Sequence, residues 1–287
     1  TEKSGGDPRY PFLNVADELR AADLAFGNLE GPISERGKNQ GSEYSFRAEP
    51  RMAESLTFTG FDVLSLANNH IMDWGGDALA DTVVRLRANG IEPIGAGENY
   101  EEANRAYIAD VKGTKIAFLA YTTLYPKSFS AKGARLPDGQ GSASGGEAKN
   151  FPGVSSFELS RTAQEIRDLK ESGAADVVVI SFHWGEEYDT TANAAEKNIA
   201  HALADAGADL IVGHHPHVAQ EVERYKNSWI AYSLGNFVFD QGFSEGTKRG
   251  LALSVILRGK RIAEVVSRQV LISETFQPSF PAEEGDM

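Results

Sequence analysis

Four stretches of the chain share one hydropathy pattern: an aspartate, a short unbroken apolar run, then an abrupt change to Asn, Glu or His. They are AADLAFGNLE from Ala21, GFDVLSLANNH from Gly60, AADVVVISFHWG from Ala174 and GADLIVGHHPH from Gly207. The runs have strand length, and their lack of alternation suits strands covered on both faces. Helical spacing occurs at 77–88, 157–170 and 194–206, with Gly90, Gly173 and Gly207 behind them as stop signals. The first of these helices leads into the short strand IEPIG. The pattern predicts βαβ units around a largely parallel sheet. It also puts the polar residues just past the carboxyl ends of strands, where open α/β sheets hold their ligands. The likeness of the four phrases does not establish duplication, because strand-then-loop grammar recurs in every fold of this class.

Other segments read as antiparallel hairpins, so the sheet system is mixed. They are 106–121 with a turn at Lys112–Gly113, 220–236 with a turn at Lys226–Asn227, and 250–272 with a turn at Arg258–Gly259. Residues 126–153 are rich in Gly, Ser, Ala and Lys and are expected to form a mobile loop inside a single domain spanning 1–277. The last residues, 278–287, are expected to be a disordered tail.

Composition narrows the function. Of 287 residues, 28 are Lys or Arg and 41 are Asp or Glu, a formal charge of −13. That balance argues against general binding to nucleic acid or to an anionic membrane. There is no cysteine, which excludes disulfides, thiolate chemistry and Cys-ligated zinc. No run of 18 apolar residues is present. The opening TEKSGGDPRYPF reads as the interior of a longer polypeptide, with an export signal or anchor expected ahead of it.

Three of the six histidines, His214, His215 and His217, sit within four positions after an apolar run. Imidazole, carboxylate and side-chain amide oxygen form a plausible ligand set for Mn, Zn or Fe. His215 and His217 can point to one side of an extended loop, and Pro216 stiffens them. His183, the Asn68–Asn69–His70 triplet and Glu30 follow three other strands. Each also has a plainer reading. His183 alone could be a hydrogen-bonded structural residue, Glu30 a surface charge and Trp184 core. Asn68 and Asn69 could form a turn, Asp73 could cap the next helix, and His201 reads as helix packing. Gathered at one rim, the set points to a metal or phosphate-type site.

The motifs GNLEGPIS, SLANNHIMDWG, ISFHWGEEY, VGHHPHVAQ and YSLGNFVFDQ occur in this order. Together they resemble the bacterial capsule-synthesis proteins of the CapA/PgsA type, linked to poly-γ-glutamate, over about residues 8–277. That family is similar in fold to the calcineurin-like metallophosphoesterases. The resemblance implies a four-layer α/β/β/α sandwich, with two mixed sheets flanked by helices. It implies His70 as the acid that protonates a leaving oxygen. It implies Glu30, Asn69, His183, His215 and His217 as metal ligands, with Asn28 in the bridging region and His214 beside them. Asn28, Arg47, Glu187, His214 and Asn236 become candidates for gripping substrate, with Tyr188 beside Glu187 at the rim.

Two departures from the family pattern stand out. The strand that opens the superfamily fold, with an acidic ligand, is expected ahead of Thr1. Asn28 stands where an acidic bridging ligand belongs, which implies one metal, weak metal or none.

The function implied is capsule biosynthesis or export, outside the membrane, through metal-dependent hydrolysis or transfer on an anionic polymer or phosphoester. Membrane-bound capsule-synthesis subunits are the implied protein partners, and nucleic acid is not. The rival is a non-catalytic polymer-binding or assembly subunit on a decayed phosphoesterase scaffold. A nucleotide-binding Rossmann domain fits poorly, since no Gly-x-Gly-x-x-Gly phrase follows an early strand.

Overall fold

A computed structural model describes residues 5–125, 129–131 and 151–281. After a short helix α1 (Ala16–Arg20), strands β1 (Phe26–Asn28), β2 (Val63–Ser65) and β3 (Glu92–Ile94) pair in parallel in that order. Helices α2 (Met52–Thr59) and α3 (Gly75–Ala88) lie between them in the chain. Strand β4 (Ala96–Gly97) and helix α4 (Tyr100–Asn104) lead to the hairpin β5 (Tyr107–Val111) and β6 (Thr114–Thr122). Then come β7 (Gly153–Val154), α5 (Leu159–Glu171), β8 (Val177–His183), α6 (Ala194–Ala206) and β9 (Leu210–His214). The hairpin β10 (Val222–Tyr225) and β11 (Ser228–Ala231) completes a six-stranded sheet of order β10-β11-β9-β8-β6-β5. Its four inner strands are parallel and its two edges antiparallel. Strands β12 (Arg249–Leu257), β13 (Ile262–Ile272) and β14 (Pro278–Ser279) form an antiparallel sheet.

The four recurrent phrases therefore do not share one parallel sheet. Two supply β1 and β2, and two supply β8 and β9 in the other sheet. The unbroken apolar runs follow from what covers each face. Val177 and Val179 of β8 enter a core with Val63 and Ile94 of the small sheet, so this core lies between the sheets. Val178, Ile180 and Phe182 point the other way, onto Ile166 of α5 and Leu203 of α6. Leu64 of β2 faces Leu79, Val83 and Leu86 of α3. Side chains alternate between two dry environments, so every position is apolar. The result is four layers: helices, three-stranded sheet, six-stranded sheet, helices.

The aspartate that opens the phrases has a backbone role. Asp62 accepts from the Ala25 N–H at 2.7 Å, Asp176 from Lys115 N–H at 2.9 Å and Asp209 from Val178 N–H at 2.7 Å. Each carboxylate satisfies a donor at the start of the neighbouring strand and so sets the register. Asp23 instead pairs with Lys112 at 2.7 Å.

All three hairpins form with turns between the expected strands. Of the expected mobile loop, 126–128 and 132–150 lie outside the described residues. Its flanks are engaged: Ala131 N–H donates to Val154 O at 2.9 Å, and β7 pairs with β4. The expected tail starts too early. Pro278–Ser279 is a strand on β13, and Phe280 packs against the small-sheet core, because β13 leaves an edge to pair and an apolar surface to cover. Residues 282–287 lie outside the described residues.

Candidate metal centre

Alternation along β8 carries the inter-sheet face from Val177 and Val179 to Ser181 and His183. On β9 it runs from Leu210 and Val212 to His214, which is paired with His183 in register. Both imidazoles thus sit at the carboxyl ends of adjacent strands and face the other sheet. Gly213 makes the approach possible, since a Cβ there would stand 1.8 Å from Tyr232 O and 2.5 Å from Trp184 Nε1. Beyond β9 the chain turns sharply. His215 has φ 101° and His217 has φ 58°, in the half of backbone space that side chains disfavour. Two positive-φ histidines two residues apart are a strained arrangement held by its surroundings.

From the small sheet, β1 runs out to Glu30, whose side chain is 11% exposed. Its Oε1 lies 3.6 Å from His183 Nε2, 3.8 Å from His217 Nε2 and 4.0 Å from His70 Nε2. Two sets of ligand atoms lie within 4.8 Å of one another: Glu30, His183 and His215, and Glu187, His215 and His217. Glu187 stands at the exposed side.

Several polar atoms of these loops lack hydrogen-bond partners among the described residues. Glu30 Oε1, Asn69 Oδ1, both ring nitrogens of His183, His214 Nε2 and His215 Nδ1 are all buried and unpartnered. Buried polar atoms are normally satisfied, because an orphan costs about 1–3 kcal/mol. The orphans of Glu30, His183 and His215 come from three loops, and ligand atoms of these residues lie within 4.8 Å of one another, which fits a cation that supplies the missing interactions.

The electrostatics agree. Burial holds Glu30 above the usual carboxylate range, against the pull of His217 and His70. Burial drives His183 well below the usual imidazole value, with His215, His214 and His217 adding to the effect. Burial also lowers His214 and His215, each to about 4. Burial thus favours the neutral form of these three imidazoles, the form that ligates metal.

The other sequence-predicted residues divide. His70 joins the cluster through Nε2, and its Nδ1 is 2.8 Å from Asp73 Oδ2. Asp73 is not the helix cap expected from sequence: the cap position of α3 is Trp74, with no side-chain bond. The buried Asp73 carboxylate also accepts from Ser42 Oγ at 2.6 Å and Phe46 N–H at 2.8 Å. It orients His70, and its i,i+3 spacing from His70 was the available signal.

Asn28 Oδ1 accepts from Asn68 Nδ2 at 3.3 Å, and Asn68 also donates to Leu29 O at 2.8 Å, so this pair ties the two small-sheet loops together. Arg47 is exposed and stacks on Trp74, its Cζ 3.6 Å from the ring centroid. Asn236 does not reach outward for substrate. It is buried, and its Oδ1 lies 2.9 Å from His217 Nδ1. His214 is at the strand end but in neither ligand set. His201 is remote from the cluster, held by Glu223 at 3.1 Å. Sequence reading missed Phe46, whose ring centroid is 4.1 Å from that of His70, and Phe239, 4.9 Å from His217.

The family model for "Bacterial capsule synthesis protein PGA_cap" matches residues 1–241. The chain belongs to this capsule-synthesis family. Among the relatives of this PGA_cap chain is a capsule biosynthesis protein CapA of Bacillus anthracis, 36% identical over 265 residues, 90% of this chain and 60% of that protein. A PGA biosynthesis protein CapA of Bacillus subtilis is also 36% identical, over 247 residues, 85% of this chain and 60% of that protein. The PGA_cap chain thus spans about 60% of the length of these curated relatives. A solved sulfate thiohydrolase, SoxB of Thermus thermophilus, in complex with glycerol, aligns with a TM-score of 0.45 at 16% identity. That alignment covers 77% of this chain and 34% of SoxB.

Proposed function

We propose that this chain serves capsule synthesis by acting on an anionic polymer, poly-γ-glutamate first among candidates, at a cation-assisted hydrolytic or transfer site. One observation carries the reading. Glu30 Oε1 has three imidazole nitrogens within 4.0 Å, yet it has no hydrogen-bond partner. Glu30, Asn69, His183, His215 and His217 would hold a divalent ion, Mn, Zn or Fe. Such an ion would supply Lewis-acid chemistry at a phosphoryl or carbonyl oxygen.

The chain's own part in the chemistry centres on His70. An ionised Asp73 can only accept, so His70 Nδ1 carries a proton and Nε2 faces the site. Asp73 also stabilises the imidazolium formed when Nε2 takes up a second proton. From Nε2 that proton can pass to a leaving oxygen or nitrogen. Phe46, packed on the His70 ring, keeps water from one side of this pair. Arg47 is anchored on Trp74 with its guanidinium exposed, suited to a carboxylate or phosphate of a long substrate. Glu187 and Tyr188 border the outer side, where Tyr188 meets the exposed Phe243 edge to face, ring centroids 5.2 Å apart.

The companion reading, a polymer-handling subunit without turnover, is supported by Asn28. Its carbonyl oxygen is engaged by Asn68 and adds no negative charge. In either reading the chain works outside the cell membrane beside membrane-bound capsule subunits. Among the described residues no helix is long and apolar enough to cross a membrane. The deciding experiment measures metal content together with turnover of bis-p-nitrophenyl phosphate and poly-γ-glutamate, with Mn, Zn or Fe supplied. Metal-dependent turnover that falls in His70→Ala supports the enzyme. Tight polymer binding with no bound metal and no turnover leaves the handling subunit.

A further inference from the structure

We infer that Asn236 is the positioning residue that fixes the tautomer of His217 and so leaves the nitrogen that faces Glu30 unprotonated. Amide oxygen and nitrogen look alike in shape, and only their partners tell them apart. Here one partner is unambiguous. Asn236 Nδ2 is 3.0 Å from the Thr247 backbone carbonyl, which can only accept. Its second hydrogen goes to Gln241 Oε1 at 3.2 Å. The amide is therefore held with Nδ2 toward the 241–247 loop and Oδ1 toward His217.

An amide oxygen has no proton to give. At 2.9 Å from Oδ1, His217 Nδ1 must be the protonated nitrogen. Nε2 is then left with a lone pair, and it faces Glu30 Oε1 at 3.8 Å. Without the lock, the neutral ring could put its proton on Nε2 and present a donor where the site needs an acceptor. His183 shows the contrast, since neither of its nitrogens has a partner.

The loop behind Asn236 is built to keep the amide still. Thr247 is buried, its Oγ1 donates to Ser244 O at 3.0 Å, and its N–H donates to Ser244 Oγ at 3.1 Å. Gly250 leaves room, as a Cβ there would meet the Asn236 carbonyl at 2.0 Å. A neutral amide also fixes the ring without adding charge to a site that already holds Glu30 and Asp73. The inference rests on the proposed cation site for its purpose, but not for its first test.

That test is a histidine ring nitrogen-15 spectrum of the metal-free 287-residue chain at neutral pH, with His217 assigned through His217→Gln. The expected spectrum shows His217 protonated at Nδ1. Asn236→Asp, whose carboxylate also accepts, should keep that tautomer. Asn236→Leu should give a mixture, and zinc affinity by calorimetry should fall about 10- to 100-fold, with Asn236→Asp staying nearer wild type. A His217 protonated at Nε2 in the wild-type chain overturns the inference, as does an Asn236→Leu chain with unchanged tautomer and zinc affinity. If Asn236→Leu does not fold, the wild-type and Asn236→Asp spectra decide. If no variant binds zinc, the cation site fails while the tautomer assignment is still read directly.

Discussion

At the scale of single residues, function and stability pull against each other. His215 adopts φ 101°, a conformation open to glycine but strained for residues with a Cβ. His215→Gly should therefore be more stable than His215→Ala by about 1 kcal/mol. Both should lose metal binding. Urea denaturation of the two metal-free variants checks this; equal midpoints would mean that the turn carries no strain. Glu30 makes the same point with charge. Its folded value is raised, so ionising it costs stability as pH rises through that value. Glu30→Gln should raise the urea midpoint of the metal-free chain at neutral pH while abolishing cation binding.

Asp73→Asn keeps the shape but gives His70 Nδ1 a weaker partner. Turnover, where it is found, should drop on the order of 10²-fold with zinc affinity little changed. These residue roles were unevenly legible. The histidines after strands stood out because imidazoles at the ends of apolar runs have no packing reason to be there. From sequence Asp73 reads as a helix cap and Asn236 as a substrate grip, because an Asp before a helix and an Asn after a strand have such ordinary uses and nothing local shows that each turns onto a histidine.

At the scale of elements, the site depends on how closely the strand ends approach. Gly213 lets β9 lie against the Tyr232 carbonyl and the Trp184 indole. Gly213→Ala should destabilise the chain by about 3 kcal/mol or more, since the nearest atom is backbone and cannot yield. Thermal melts measure this, and a shift of only a degree or two would show that β9 can move aside. Strands, hairpins and helix ends were readable because hydropathy period, turn residues and glycine stops are local. The division into two sheets was not. An unbroken apolar run says that both faces are covered, but not whether by helix or by a second sheet. Only the resemblance to a known family supplied the four layers in advance. The β14 strand was hidden for a related reason: its two residues pair because β13 offers an edge, not because QPSFP favours a strand.

At the scale of the whole molecule, the buried histidines tie folding to pH. His214 and His215 titrate at about 4 in the folded chain against 6.5 for an ordinary imidazole, and His183 is also lowered well below that value. Below 6.5 the unfolded chain takes up protons that the folded chain refuses. Stability from these groups is therefore present above about pH 6.5 and is lost as pH falls toward about 4. Glu30 acts in the opposite direction but is one group against three. Urea midpoints of chelator-treated protein should decline across that window; a flat profile would place the imidazoles in contact with water. Bound cation should hold the folded state by mass action and move the decline to lower pH.

The most direct measurement is calorimetric titration of the chelator-stripped chain with Zn²⁺ and Mn²⁺, alongside Glu30→Gln and His183→Ala. Saturable binding in the wild-type chain, with protons released and with affinity lost in both variants, is the expected result. No saturable binding, or variants that bind as the wild type does, would contradict a cation site at Glu30 and the strand-end histidines.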